Sequence, residues 1–145
     1  MNSLTRHQQQ RLDQLFELTP AQREAICKQC GVCCLHKIQV FDKTVFLDLC
    51  CEYLNPRTRK CNVYDNRTSV CELCRLITPD IIKEGRLLPA SCGYMEYVFG
   101  PAPVRSRINF SRIKPVTDAQ LDKIAADYDK LFQHIIEKSV NWNVR

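Results

Sequence analysis

Residues 27–34 read Cys27-Lys28-Gln29-Cys30-Gly31-Val32-Cys33-Cys34. Three cysteines recur at intervals of three, and a fourth follows at once. A C-x-x-C turn brings two sulfurs onto one ion, and the glycine after it lets the backbone wrap and donate N–H groups to sulfur. That much suits zinc. A third cysteine at the same interval matches the loop that bacterial ferredoxins fold around a cubane cluster, but the ferredoxin continuation, a more distant cysteine followed by proline, is missing. In an extended segment adjacent side chains point to opposite sides. On that basis Cys33 completes a loop with Cys27 and Cys30, while Cys34 faces a second site fed by later cysteines. Eight thiolates then divide into two four-ligand sites, and the fold is expected to be organised by metal–thiolate bonds.

The rest of the chain supplies those cysteines. There are ten in 145 residues: Cys27, Cys30, Cys33, Cys34, Cys50, Cys51, Cys61, Cys71, Cys74 and Cys92. Buried thiols acting as small apolar residues would explain one or two, not ten. Disulfides fit poorly. The opening stretch, MNSLTRHQQQRLDQLF, is too polar for the apolar core of a secretory signal, so a reducing cytoplasmic location is expected. Neighbours such as Cys33-Cys34 and Cys50-Cys51 also cannot easily bridge each other. Metal ligation is the remaining reading.

Length allows one domain, residues 1–145, because two would each be too small to bury an ordinary core. Hydrophobic residues make up 45% and charged residues 26%, which excludes wholesale disorder. No apolar run reaches the ~18 residues of a membrane-spanning helix, so no membrane partner is expected. The formal charge is +5, concentrated in residues 55–114, where eleven Lys/Arg face five Asp/Glu. Such a block raises the question of nucleic acid. Ligating thiolates weaken that inference, since they leave the metal-loaded protein less basic than its sequence.

Three zones follow along the chain. Residues 1–26 read as helical: Leu4, Leu12, Leu15 and Phe16 form a loose stripe, and Thr19-Pro20-Ala21-Gln22 is a capping box with proline at the first helical position. Residues 27–100 are the cysteine-cluster region. Within them Ile38–Phe41 and Val45–Leu49 predict a hairpin around Asp42-Lys43-Thr44, Asn55-Pro56 predicts a turn, and Thr78-Pro79-Asp80 opens a short helix that Gly85 ends. Large apolar residues look sparse here, so this zone is expected to depend on metal for its order. Residues 101–145 begin after the stiff stretch Gly100–Pro103. Val104, Ser106, Ile108 and Phe110 alternate with Arg105, Arg107, Asn109 and Ser111, a basic strand pattern. Thr117-Asp118-Ala119-Gln120 then caps a helix whose stripe, from Leu121 through Leu131 to Ile135 and Ile136, predicts one long C-terminal helix ending near Lys138. The expected class is a small, helix-rich, single-domain α+β protein with a metal-organised, cysteine-rich middle.

The run CKQCGVCCLHK resembles the signature of the CxxCxxCC cysteine-cluster proteins, described as zinc- or iron-chelating domains (the YkgJ-like family, with a YcgN-like branch). The resemblance continues through Cys51-Glu52-Tyr53-Leu54-Asn55, through Cys61-Asn62-Val63-Tyr64, and through Leu88-Pro89-Ala90-Ser91-Cys92. The family pattern C-x-x-Y-x-x-R-P-x-x-C here carries Thr68 in place of proline and points to Cys71. The branch spacing, eighteen residues before the last cysteine, points to Cys74. The ligand set that the resemblance implies is Cys27, Cys30, Cys33, Cys34, Cys51, Cys61, Cys92 and one of Cys71 or Cys74. Cys50 has no counterpart in it, and remains a further candidate. His36, two residues past the signature, is a candidate ligand or a hydrogen-bonding support to one. Tyr64 and Arg67 are expected to orient the site or pack.

The expected function is metal binding, with zinc or a [4Fe–4S] cluster in a structural, regulatory or redox role. The alternatives are a metal-transfer protein, with or without a protein partner, and a nucleic-acid-associated zinc protein. No P-loop, dinucleotide fingerprint or Ser/His/Asp arrangement is present, which argues against an enzyme.

Overall fold

Helix α1 spans Arg6–Glu17 and α2 spans Pro20–Ile26. Each begins at a threonine whose hydroxyl accepts the N–H three residues on, while the glutamine there reaches back to the threonine N–H. The computed structural model describes residues 3–40, 43–70, 74, 76–102 and 108–139. The α+β class holds: among these residues helices and a small mixed sheet build the chain.

Strand β1 (Leu35–Val40) pairs antiparallel with β2 (Lys43–Cys51), as the hairpin pattern predicts. A second, two-residue hairpin joins β3 (Leu54–Asn55) to β4 (Lys60–Cys61) across the Asn55-Pro56 turn, where the Asn55 side-chain oxygen accepts the N–H groups of Arg57 and Thr58. Short helices α3 (Arg67–Val70) and α4 (Pro79–Glu84) follow, α4 capped by the Thr78 hydroxyl and ending at Gly85. Next come α5 (Gly93–Phe99), β5 (Lys114–Val116), α6 (Asp118–Ala125), α7 (Tyr128–Phe132) and β6 (Ile135–Ser139). Strand β5 pairs parallel with the end of β2 and β6 antiparallel with its beginning, so the two share the edge that β1 leaves open.

Two readings of the last zone are corrected. The single long C-terminal helix is instead α6, α7 and β6. Asp127 breaks it by turning its carboxylate onto the N–H groups of Asp129 and Lys130, which starts a new helix. Ile135 then packs with Leu47 and Leu131, while Ile136 packs with Phe46 and Leu35. Adjacent residues buried on opposite faces demand a strand, because consecutive positions on a helix lie only about 100° apart. The basic strand is likewise absent from its described part: Phe110–Arg112 is a 3-10 turn, capped by Asn109, and the strand comes later at β5. Residues 103–107 lie outside the described residues.

Three cores result. Leu12 and Leu15 of α1, Ile82 of α4, and Met95 and Val98 of α5 enclose a helical one, which also takes in Leu88 and Cys92. Under one sheet face lie Val32, Leu35, Phe46, Cys50, Leu54, Phe110 and Ile113. Under the other lie Leu47, Leu49, Val116 and Leu131. The middle zone is therefore richer in apolar packing than its sequence suggests. Packing is thin over 55–70, where no residue is fully buried. Leu131, 5% exposed, and Phe132, 47% exposed and stacked on Tyr128, separate core from surface on α7. Leu131→Asp is expected to cost about 2–5 kcal/mol. Phe132→Asp should stay within about 1 kcal/mol. Urea unfolding midpoints measure both, and equal losses would contradict this packing.

Candidate metal centre

The segment 27–34 is shaped by left-handed backbone at two positions. Gly31 has φ 76°, where glycine is at ease, and Gln29 has φ 52°, where most side chains are not. The Gln29 N–H donates to the Cys27 sulfur at 3.4 Å. The chain then enters a 3-10 turn, Val32–Cys34. The extended backbone expected at Cys33-Cys34 is thus corrected: the two sulfurs meet and hydrogen-bond instead of diverging. The Cys34 thiol donates, which lowers the pKa of Cys33 to about 6 and raises that of Cys34.

Around this pair the fold gathers cysteines from separate segments. Cys30 lies in the field of Cys33 and Cys27, and burial raises its pKa. Cys92, at the start of α5, lies in the fields of Cys33 and Cys30, and burial pushes it up to about 12. The N–H groups of Tyr94 and Met95 favour its thiolate without closing a cap hydrogen bond. On the other side, Cys34 lies in the fields of Cys61 and Cys74. Cys61 stands opposite the buried Leu54 in the β3–β4 hairpin, which fixes its position. Seven cysteines thus lie within electrostatic reach of one another in two groups that adjoin at the vicinal pair: Cys27, Cys30 and Cys92 with Cys33, and Cys61 and Cys74 with Cys34. They sit at the junction of the helical core, which holds Cys92, and the sheet core, against which Cys30 and Cys34 pack.

Cys50, Cys51 and His36 belong to the sheet. Cys50 is fully buried in the sheet core beside Phe46, and burial raises its pKa to about 11. Cys51 pairs in register with Val116, which places it on the opposite sheet face. The His36 ring lies near the Cys50 backbone and in the field of Asp118; burial lowers its pKa, and its Nε2 is buried without a hydrogen-bond partner. Cys71 lies outside the described residues. None of the nine described cysteines is in a disulfide. Among the described residues, no three His, Cys, Asp or Glu side chains converge on one point as they stand. Tyr64 and Arg67 brace the second group. Tyr64 donates to Glu24 at 2.7 Å, tying the 61–66 turn to α2, and the Arg67 guanidinium lies 4.1 Å from the Tyr64 ring.

Three residues not singled out from sequence shape the centre. Lys28 pairs with Glu96 of α5 and ties the loop to that helix. Gly93 lets α5 close on Ile26. Lys37 reaches back under the loop. The available signals are a glycine directly after the last cysteine, and two lysines inside the signature run.

No protein-family model matches this chain, and no solved structure does. It is 39% identical over 82 residues to UPF0260 proteins of Brucella canis and Vibrio vulnificus, an alignment covering 55% of this chain and 54% and 57% of theirs. The chain therefore spans about half the length of the curated relatives it matches. No described helix is long and apolar enough to cross a membrane.

Proposed function

We propose that this chain, a relative of the UPF0260 proteins, is a metal-binding protein of the cysteine-cluster, YkgJ-like kind, holding zinc or an iron–sulfur cluster through its cysteines. The observation that carries the reading is the gathering of seven cysteines, drawn from the loop, the β3–β4 hairpin, the segment at Cys74 and the start of α5, around Cys33-Cys34. Thiolate donors suit both metals. Protonated thiols need not converge, so an ion that displaces their protons would close the shell by side-chain rotation. Cys33 is exposed, and Cys74 lines an open cavity of about 480 Å³ with Thr68, Leu76 and Ile81. That access favours an exchangeable metal, as in transfer or sensing, over a sealed structural one.

Anaerobic purification with metal and acid-labile sulfide analysis tests this. Zinc, or iron with matching sulfide and an absorption that dithionite bleaches, is expected. Protein that is metal-free and takes up neither under reducing conditions would remove the proposal. Chelation is also expected to abolish hydrogen-exchange protection in residues 55–70, which have no buried residue of their own, while β1 and β2 keep theirs. Loss of protection across the whole sheet would assign the metal a global structural role.

A further inference from the structure

Lys37 leaves β1 and turns back beneath the cysteine loop. Its Nζ donates to the carbonyl oxygens of Cys33 at 2.9 Å and Leu35 at 2.8 Å. The first of these belongs to the peptide that links Cys33 to Cys34, so the ammonium sits against the backbone of the vicinal pair. The Phe46 ring lies 5.8 Å away on the core side and limits the water that can reach the charge. The side chain is half-buried, and among the described residues no carboxylate lies within ion-pair distance of it. Burial lowers its pKa, while its electrostatic neighbours Cys33, Cys34 and Cys74 raise it; His36 also lies in its field. Those sulfurs come from both cysteine groups. Two carbonyls hold the ammonium, but among the described residues the groups near it that can become anionic are thiols; a half-buried cation so placed is costly in a protein whose thiols stay protonated, and useful in one whose thiols ionise. Arg67, the other cation in the field of Cys33, is committed to the Tyr64 carbonyl and ring.

We infer that Lys37 is a positioning residue of the metal centre: a fixed cation, placed between the two cysteine groups, that offsets the negative charge of a loaded polythiolate site and raises its affinity for divalent metal. Four thiolates on one zinc leave a net charge of −2, and a second group beside it repels the first. One ammonium in the field of both groups lowers that repulsion, by an amount expected to be worth about tenfold or more in binding at the effective dielectric of a protein surface.

The inference rests on the metal-binding reading above, and the test separates the two. Full-length wild type, Lys37→Gln and Lys37→Arg are titrated anaerobically with cobalt(II), read by the thiolate-to-cobalt charge-transfer absorption, and then with competing zinc. Glutamine keeps a donor for the two carbonyls but not the charge; arginine keeps both. Lys37→Gln is expected to bind about tenfold or more weakly at unchanged stoichiometry, with Lys37→Arg within about threefold of wild type. Urea unfolding of the three metal-free proteins should show no matching loss. Lys37→Gln binding like wild type would overturn the inference and leave the metal site standing. Equal weakening in both variants would also overturn it, since the role would then be the hydrogen bonds and packing of the lysine rather than its charge. Wild type that binds neither ion would sink the metal reading and this inference with it.

Discussion

Replacing Gly93 with alanine is expected to cost about 3 kcal/mol or more and to disassemble half of the cysteine centre. A Cβ at that position would stand 2.0 Å from the Ile26 carbonyl oxygen and 3.0 Å from its carbon. Both are backbone atoms at the end of α2, so no rotamer change relieves the contact and α5 must move. Overpacking absorbed by side chains typically costs about 1–3 kcal/mol, and backbone displacement belongs at or above the top of that range. The consequence for the site follows from chain order. Ile26 directly precedes Cys27, and Cys92 directly precedes Gly93, so the approach of α2 to α5 draws together the segments that carry those two cysteines. Moving α5 also strains the Lys28–Glu96 pair that ties the same helix to the loop. Urea unfolding measures the first effect and cobalt uptake the second. Wild-type stability in Gly93→Ala would mean that the helices do not meet at this point.

What the sequence makes legible follows locality. The caps of α1, α2, α4 and α6 are written in the residues that form them, a threonine and, in three cases, a glutamine three positions on, so those starts need no tertiary information. Helix α5 carries no such mark. Its sequence, GYMEYVF, begins with glycine and has no capping side chain, and it becomes helical because Met95 and Val98 are buried against α1. Ile135 and Ile136 extend a helical stripe as well as they populate a strand, and only the presence of β2 decides between them. The cysteines behave in the same way. Their number and spacing announce a thiolate site, yet which sulfurs share a group depends on the β3–β4 hairpin and the α2–α5 approach. Adjacency at Cys33-Cys34 suggested a division of labour through an extended backbone. The backbone there is a 3-10 turn, which brings the two side chains into hydrogen-bonding contact instead of sending them apart.

That contact shapes the last prediction. If each group holds its own metal, Cys92→Ser and Cys61→Ser should each remove about half of the bound cobalt and leave different residual spectra, because the first variant spares Cys34, Cys61 and Cys74 while the second spares Cys27, Cys30, Cys33 and Cys92. The group of four already has the number of donors that tetrahedral zinc requires. The described part of the other has three, so an additional ligand from the chain or the solvent completes it. Cys33→Ser and Cys34→Ser carry a further expectation. Their sulfurs are hydrogen-bonded, so each change perturbs the partner as well as emptying its own group, and both should lose more than half of the metal. Cys50→Ser should lose none, because Cys50 faces the sheet core beside Phe46. The ordering of losses, with the vicinal pair worst, Cys61 and Cys92 intermediate and Cys50 least, separates two abutting sites from one. A single polynuclear cluster would give the same residual spectrum whichever of Cys61 or Cys92 is removed. Cobalt stoichiometry with visible absorption across the five variants distinguishes these outcomes.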